Sequence, residues 1–328
     1  MRPWRSLGIL TAVVCMVGGI HAGRADAQIR ARLGHGGSET HPFHIWSVKF
    51  AEEAAKLTNG RLKVEVFPNS QLGKERDMAE GLIIGTLEMA VVGTGTILPQ
   101  WVPEIGVLDA PFIYRDFDHF YKVQDGAVGA ELKAKLEAKG MKHIGWSDIG
   151  ARHMTNNRRP ITKPADLVGL KMRVPDSKVY VTMMKALGAT VVPVNFAELY
   201  MALQQGVADG QENPTTTIRS MNYFEVQKYL SLTGHIYSGA SGLVSTKWLV
   251  QQPPDIRAAI EKAGQLATEY TRPWVREDNQ KSLDFLKSKG VLVNTVDQEP
   301  FRKATEVVYK EMADVFPPDL VRRIRETR

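Results

Sequence analysis

Cysteine is nearly absent from this chain of 328 residues. Its single cysteine, Cys15, lies in an apolar run near the N-terminus, from Leu7 to Ile20. Once that segment is removed, the chain has no disulfide, no thiol nucleophile and no thiolate metal site. Disulfide-stapled secreted domains and cysteine-dependent enzymes are therefore excluded.

The apolar run belongs to a segment typical of a secretory signal peptide. Arg2 and Arg5 precede the run, and two small residues, Ala25 and Ala27, stand where a signal peptidase reads its site. A run of 14 residues is too short to span a membrane as a helix. We therefore expect residues 1–27 to be a signal peptide that is cleaved after Ala27, with export to the periplasm. An N-terminal membrane anchor is the alternative.

The rest of the chain lacks long hydrophobic runs and a marked excess of one charge. No later stretch of 18 apolar residues occurs, so we expect the exported part to be soluble. Removing residues 1–27 leaves 39 basic and 35 acidic residues, which lowers the net charge from +6 to +4. The basic residues are scattered among acidic ones, which argues against nucleic-acid binding. A mildly positive chain favours anionic ligands, but only weakly.

Complete nucleotide-binding and nucleophile motifs are also lacking. Gly93-Thr94-Gly95 follows an apolar strand, but Leu98 stands where a dinucleotide loop needs its third glycine. In Gly145–Gly150 the second glycine comes one residue too late for a nucleophile elbow, so Ser147 is expected to be structural.

Three histidines, His35, His41 and His44, are close in sequence but lack the spacing of metal ligands. No carboxylate accompanies them on one helix face. We interpret them as solvated histidines and expect neither a metal site nor a cofactor.

Strands alternate with helices over a length that favours two domains. This order indicates an α/β fold with a parallel sheet, and residues 255–286 are long enough for one helix across two lobes. We expect a ligand cleft between the lobes, where open parallel sheets bind their ligands. Strands are predicted at 29–33, 62–66, 89–92, 142–146, 152–155, 239–245 and 291–296.

The stretch Gly169–Pro214 contains the strongest candidate for a binding residue. Arg173 lies in an otherwise apolar strand, where a charge requires a partner. The pattern leaves two partners open, a structural carboxylate or the carboxylate of a small organic acid, which fits a guanidinium well.

Three more residues are expected at the same cleft. Arg152 leads into it from another strand, and Phe196 would offer an apolar wall. Asn213, in what the sequence indicates is a polar turn at 209–214, would supply both a donor and an acceptor. This set suits binding and lacks a nucleophile or a general base.

Eight sequence blocks occur in order along the chain: 67–73 (FPNSQLG), 109–112 (DAPF), 150–152 (GAR), 166–175 (DLVGLKMRVP), 186–189 (ALGA), 198–204 (ELYMALQ), 209–214 (DGQENP) and 223–230 (YFEVQKYL). With these blocks the chain resembles the substrate-binding proteins of the tripartite ATP-independent periplasmic (TRAP) transporters, in the dicarboxylate-binding-protein branch. The resemblance covers essentially the whole chain after residue 27.

The resemblance implies an α/β fold of two lobes, like a type II periplasmic binding protein, with a ligand cleft between the lobes and a long helix spanning both. Residues 28–149 and 239–278 would form lobe I, and residues 150–238 and 279–328 would form lobe II. The implied function is capture of a small carboxylate and its delivery to the small and large membrane subunits of a TRAP transporter. The protein would be a monomer without enzymatic activity.

The resemblance also implies roles for single residues. Arg173 matches the arginine that pairs with the ligand carboxylate, and Arg152 matches a second basic contact. Asn213 matches the asparagine that holds the carboxylate from the other side, and Phe196 matches the wall residue. Glu75 matches a position where some relatives place an acidic residue against ligand hydroxyls.

The part of the ligand beyond its carboxylate is left open, between C4-dicarboxylates, hydroxy or oxo acids, aromatic acids and sugar acids. Thr94 and Tyr237 are expected beside it. Two other functions are kept as alternatives. An exported enzyme acting on an acid would need Ser147 or His153 as its nucleophile or base, and a sensor module would detect an acid without transporting it.

Overall fold

The computed structural model describes residues 28–328, so the predicted signal peptide lies outside the described residues. Within them the fold is mixed α/β. The strands are β1 (Ile29–His35), β2 (Leu62–Phe67), β3 (Met89–Gly93), β4 (Met141–Asn156), β5 (Lys171–Val174), β6 (Thr190–Pro193), β7 (Gly210–Pro214), β8 (Tyr229–Ser245) and β9 (Leu292–Thr295). The helices are α1 (Pro42–Leu57), α2 (Glu75–Ile84), α3 (Thr94–Ile97), α4 (Phe117–Asp125), α5 (Ala127–Ala138), α6 (Lys178–Ala186), α7 (Leu199–Gln204), α8 (Thr215–Ser220), α9 (Thr246–Leu249), α10 (Pro254–Ser288), α11 (Glu299–Glu311) and α12 (Pro318–Glu326).

The first half of the sheet is parallel, because β1 pairs in parallel with both β2 and β3. The helix between β1 and β2 is capped at its N-terminus by His41, whose imidazole accepts a hydrogen bond from the backbone N–H of Phe43. That helix, α1, buries Trp46, Phe50 and Ala54, which recur at helical spacing. This half agrees with the alternation that the sequence predicts.

Two long strands, β4 and β8, run antiparallel to each other and join the two halves. The sheet order is β2-β1-β3-β8-β4-β7-β5-β6, with β9 paired to β8. Since β3 pairs antiparallel with β8, and β4 with β7, the sheet is mixed and the prediction of a parallel sheet is wrong for its centre.

The centre of β4 contains an irregularity. Its register against β8 shifts between Asp148 and Gly150, and Gly150 has a φ of 128°, which glycine adopts readily. The sequence indicates two separate strands here, at 142–146 and 152–155, because polar residues and glycine interrupt the apolar pattern between them.

The second half of the sheet is again parallel, since β5 pairs in parallel with β6 and β7. The segment predicted as a polar turn is the fully buried strand β7. Its polar side chains have partners inside the protein: Gln211 donates to Thr155 over 2.8 Å, and Glu212 pairs with Arg152. Partnered polar groups are compatible with burial, so polarity alone did not identify a loop.

The predicted long helix is confirmed as α10, which contacts both halves. In the first half, its Thr268 accepts a hydrogen bond from the backbone N–H of Trp146 over 2.9 Å. Near its other end, Asp278 pairs with Arg219 of α8 over 3.1 Å. Although α10 has 35 residues, neither it nor any other helix within residues 28–328 has the apolar length to cross a membrane.

Gly264 allows α10 to lie directly on β4. A Cβ at this position would stand 1.9 Å from the carbonyl oxygen of Ile144. We expect Gly264→Ala to lower the free energy of unfolding by about 1–3 kcal/mol, because helix and strand must move apart. Urea unfolding followed by circular dichroism measures this change. Ala258→Ser, at an exposed position of the same helix, should change it by less than about 0.5 kcal/mol. An unchanged midpoint for Gly264→Ala would contradict the close approach.

The last two helices pack on different parts of the fold. α11 packs on α6, whereas α12 packs on α5. The carbonyl of Ile324 in α12 is 2.8 Å from Nε2 of His119, and Arg323 pairs with Glu131 over 2.8 Å. The predicted lobe boundaries stay a prediction, and these contacts of α12 are with residues of the segment predicted as lobe I.

Candidate functional site

A cavity of about 300 Å³ lies between the two halves of the sheet. The N-terminus of α2 and the segment after β3 form one side, and the ends of β5, β6 and β7 form the other. Carboxyl ends of parallel strands meet at this edge, which is where such sheets bind ligands. Five of the seven predicted site residues line the cavity: Glu75, Arg152, Arg173, Phe196 and Asn213.

Among the residues that line the cavity, Arg173 is the cation that no protein carboxylate contacts directly. Its side chain is 2 % exposed, and Nε and Nη2 both donate to the carbonyl of Val194, over 2.9 and 2.6 Å. Within residues 28–328 no carboxylate lies within 4.0 Å of its guanidinium, and Nη1 has no hydrogen-bond acceptor. Burial lowers the pKa of Arg173 to about 10, so it remains charged at neutral pH. The carbonyl of Val194 therefore orients the guanidinium through Nε and Nη2, and Nη1 keeps its donors for a group in the cavity.

Arg152 also lines the cavity, but it has a carboxylate partner in the protein. Its Nε and Nη2 contact the two carboxylate oxygens of Glu212 at 2.5 and 2.8 Å, and both side chains are buried. His235 approaches the same carboxylate at 3.1 Å. The prediction that Arg152 is a second basic contact stays a prediction, since its charge is already neutralised by this two-point ion pair.

Glu75 is buried at the first turn of α2 and faces the cavity. Its Oε2 accepts a hydrogen bond from the backbone N–H of Gly93 over 3.3 Å. Burial raises the pKa of Glu75 to about 7, although the Gly93 hydrogen bond and the charges of Arg173 and Arg152 act in the opposite direction. The carboxyl therefore titrates near neutral pH.

Phe196 forms part of the wall, and its ring lies 5.9 Å from that of His41, in edge-to-face geometry. A Cβ at Gly36 would meet Cδ1 of Phe196 at 3.2 Å and Oε1 of Glu75 at 3.3 Å, so this glycine keeps the corner open. On the other side, Nδ2 of Asn213 donates to Gln211 over 2.5 Å, which fixes the amide.

Thr94 and Tyr237 are not among the residues that line the cavity. Thr94 is buried and shares a hydrogen bond of 2.9 Å with Ser241. Tyr237 packs edge-to-face on Phe117 and on Tyr114, with ring centroids 4.9 and 6.3 Å apart. Both are engaged in packing, so the structure does not bring them to the other predicted residues. Two residues near Thr94 in sequence, Gly93 and Thr96, line the cavity.

The sequence-based interpretation missed several polar contacts that join the two walls of the cavity. His41, which it treats as a solvated histidine, is buried and lies 3.1 Å from Oγ1 of Thr217 in α8. Lys74 pairs with Glu198 over 2.6 Å. Only the position of His41 immediately before Pro42 and an apolar helix could have indicated a structural role.

Two further contacts join the walls below the cavity. Tyr180 donates to Asp109 over 2.5 Å, and Ser177 donates to the carbonyl of Gly95 over 2.9 Å. The two walls are therefore in contact beside the cavity as well as across it.

The two residues that the sequence offered for catalysis do not contribute to the cavity. Ser147 and His153 lie outside its lining: Ser147 donates to the carbonyl of Pro42 over 3.4 Å, and His153 accepts from the N–H of Gly234 over 3.0 Å. Within residues 28–328 no group of three or more histidine, cysteine or acidic side chains is placed to hold a metal ion.

Residues 33–314 match the family model DctP, described as bacterial extracellular solute-binding protein, family 7. The chain belongs to this family. The chain is also 37% identical over 290 residues to the 2,3-diketo-L-gulonate-binding periplasmic protein of Escherichia coli, with 88% of this chain and 87% of that protein aligned. It is 35% identical over 283 residues to the C4-dicarboxylate-binding periplasmic protein of Rhodobacter capsulatus, with 85% of each aligned.

Two solved structures show how far the fold agrees. A TRAP periplasmic solute-binding protein from Polaromonas, bound to D-erythronate, matches with a TM-score of 0.89 at 37% identity, covering 92% of this chain and 99% of that one. Another from Sulfurospirillum deleyianum, with bound succinate, matches with a TM-score of 0.88 at 34% identity, covering 92% and 100%. The predicted class, a TRAP solute-binding protein with a two-lobed α/β fold, is confirmed.

Proposed function

We propose that this family 7 protein captures a small organic acid between its lobes and delivers it to the membrane subunits of a TRAP transporter. The observation that carries the proposal is Arg173, a buried guanidinium held by Val194 and open to the cavity. A buried cation needs a counter-charge, and a ligand carboxylate supplies one with matching planar geometry. Erythronate and succinate, which two similar solved proteins bind, both contain that group.

The proposal includes export through a signal peptide that is cleaved after Ala27 and action in the periplasm. Arg173 would hold the ligand carboxylate with Asn213 beside it, and Phe196 would cover its apolar part. Arg152 would contribute to the positive potential of the cavity while paired with Glu212. We expect the protein to act as a monomer. It would have no enzymatic activity, because neither Ser147 nor His153, the two candidates for catalysis, lines the cavity.

A thermal-shift screen of the purified protein against a library of organic acids tests this function. A ligand at 100 times its dissociation constant adds about 2.7 kcal/mol to the free energy of unfolding, which raises the melting temperature by several degrees. We expect at least one carboxylate to do so and its amide or methyl ester to fail. A library in which no acid shifts the melting temperature would contradict the proposal. Chemical conversion of the bound acid would instead favour an enzyme.

A further inference from the structure

The cations that line the cavity differ in whether they already have a carboxylate partner. Lys74 pairs with Glu198 over 2.6 Å. Arg76 pairs with Glu80 over 3.0 Å. Arg152 pairs with Glu212 as well, so three of the four basic residues in the lining already have a carboxylate partner in the protein. Arg173 is left as the one unpaired cation among the residues that line this cavity, so the cavity supplies counter-charge for a single carboxylate.

The lining also contains three acidic residues, of which two are exposed and one is buried. Asp77 and Asp176 are exposed at the rim, and Asp77 caps α2 by accepting from the N–H of Lys74 over 3.0 Å. Glu75 alone is buried in the interior, and within the described residues it has no salt-bridge partner. A ligand with a second carboxylate would bring that group into an interior with no free cation and with an acidic residue already present.

We propose that the ligand is a hydroxylated monocarboxylic acid and that Glu75 makes the site discriminate against dicarboxylates. This proposal rests on the proposed function and names the substrate class of the same cavity. One carboxylate would compensate Arg173, and a second would be buried uncompensated near a like charge. A hydroxyl, in contrast, can donate to the Glu75 carboxylate and accept from polar neighbours such as Gln100. The cavity volume equals that of about ten water molecules, which suits a small acid.

The charge on Glu75 changes with pH, which gives a second test of its role in discrimination against dicarboxylates. Its pKa of about 7 means that raising the pH from about 7 to about 9 adds negative charge at this carboxyl. Asp109, outside the cavity lining, also titrates in this range because burial raises its pKa to about 7, and it is present in both the wild type and Glu75→Gln. The other neighbouring ionisable groups keep their states. Lys74, Arg152 and Arg173 stay positive, and Glu212 stays negative. His41 stays neutral because burial lowers its pKa to about 3. Tyr223 stays neutral because burial raises its pKa.

The experiment is calorimetric titration with acids matched by carbon number, beginning with D-erythronate and succinate. We expect the wild-type protein at about pH 8 to bind the hydroxylated monocarboxylate at least about tenfold more tightly. Glu75→Gln should reduce this preference by about tenfold, mainly by tightening the dicarboxylate. The wild-type preference should also grow as the pH rises from about 7 to about 9, and the Glu75→Gln preference should change much less, since Asp109 is the same in both proteins. Glu39→Gln, which removes an exposed charge outside the cavity lining, should match the wild type.

The outcomes separate this proposal from the proposed function. A dicarboxylate that binds as tightly as, or more tightly than, the matched hydroxy acid overturns the substrate class, and the proposed function stands if Arg173→Ala abolishes that binding. A preference that is unchanged in Glu75→Gln overturns the role of Glu75. If that variant fails to fold, a wild-type preference that is flat between about pH 7 and 9 overturns it instead. Binding of neither class overturns both the substrate class and the proposed function.

Discussion

Arg173→Ala is expected to weaken binding of the cargo acid by at least about thirtyfold, since removing one partner of a desolvated charge pair costs on the order of 2–5 kcal/mol. The cavity has no other unpaired cation in its lining to take over. Arg173→Lys should lose most of the affinity as well. An ammonium cannot donate to the carbonyl of Val194 and to both oxygens of a carboxylate in one plane, as the guanidinium fork can.

Titration calorimetry with the tightest acid from the screen measures this loss, with circular dichroism to verify folding. Arg76→Ala is the matched control, because Arg76 also borders the cavity but is exposed and paired with Glu80. It removes the same formal charge, and we expect less than about a threefold change. Equal losses in the two variants would mean that the general potential of the cavity attracts the acid and that Arg173 does not bind it directly.

Glu212→Gln is expected to cost the largest amount of stability among single substitutions at the site. The substitution leaves Arg152 buried and charged without its carboxylate, and breaking a buried pair in this way costs about 3–5 kcal/mol. Urea unfolding measures the difference. Arg322→Ala, which removes an exposed pair with Asp319, should cost less than about 1 kcal/mol.

A double variant sharpens this test. Replacing both Arg152 and Glu212 with methionine removes both charges together, so it should cost less than Glu212→Gln alone if the unpaired charge is the source of the loss. A double variant that is less stable than the single one would show that the wider hydrogen-bond network, including His235, matters more than the charge.

The effect of Glu212 also has a defined pH dependence. Burial by itself would raise its pKa, but the charge and hydrogen bonds of Arg152 outweigh burial and bring the pKa below the ordinary value of 4.5. The ionised state is thus favoured by folding. Its contribution to stability is present above about pH 4.5 and is lost as the pH falls through the lowered pKa. The stability gap between the wild type and Glu212→Gln should therefore narrow in acid.

Residue patterns predicted the structure correctly where apolar side chains are the buried ones. The apolar spacing in α1 and in residues 255–286 predicted helices that the structure contains. Arg173 was recognised because a charge in an apolar strand is conspicuous, and the structure leaves it without a protein carboxylate. Residue patterns failed to predict the strand β7, where polar side chains are buried because they pair with one another. Gln211, Glu212 and Asn213 resemble a turn in sequence but form a buried strand. Gln211 and Glu212 find their partners, Thr155 and Arg152, in a distant segment, and Asn213 donates to Gln211 within the strand.

The sequence by itself determined the family, the two-lobed α/β class and the arginine most suited to a carboxylate, because each depends on residue types in a local order. Only the tertiary structure decided which charges remain free. Arg152 and Arg173 both occur in buried strand segments. Within residues 28–328, Glu212 contacts Arg152, whereas Arg173 donates to the carbonyl of Val194 and contacts no carboxylate. Coulombic pairing depends on distances between segments remote in sequence, and those distances exist only once β4, β5 and β7 lie side by side in the sheet.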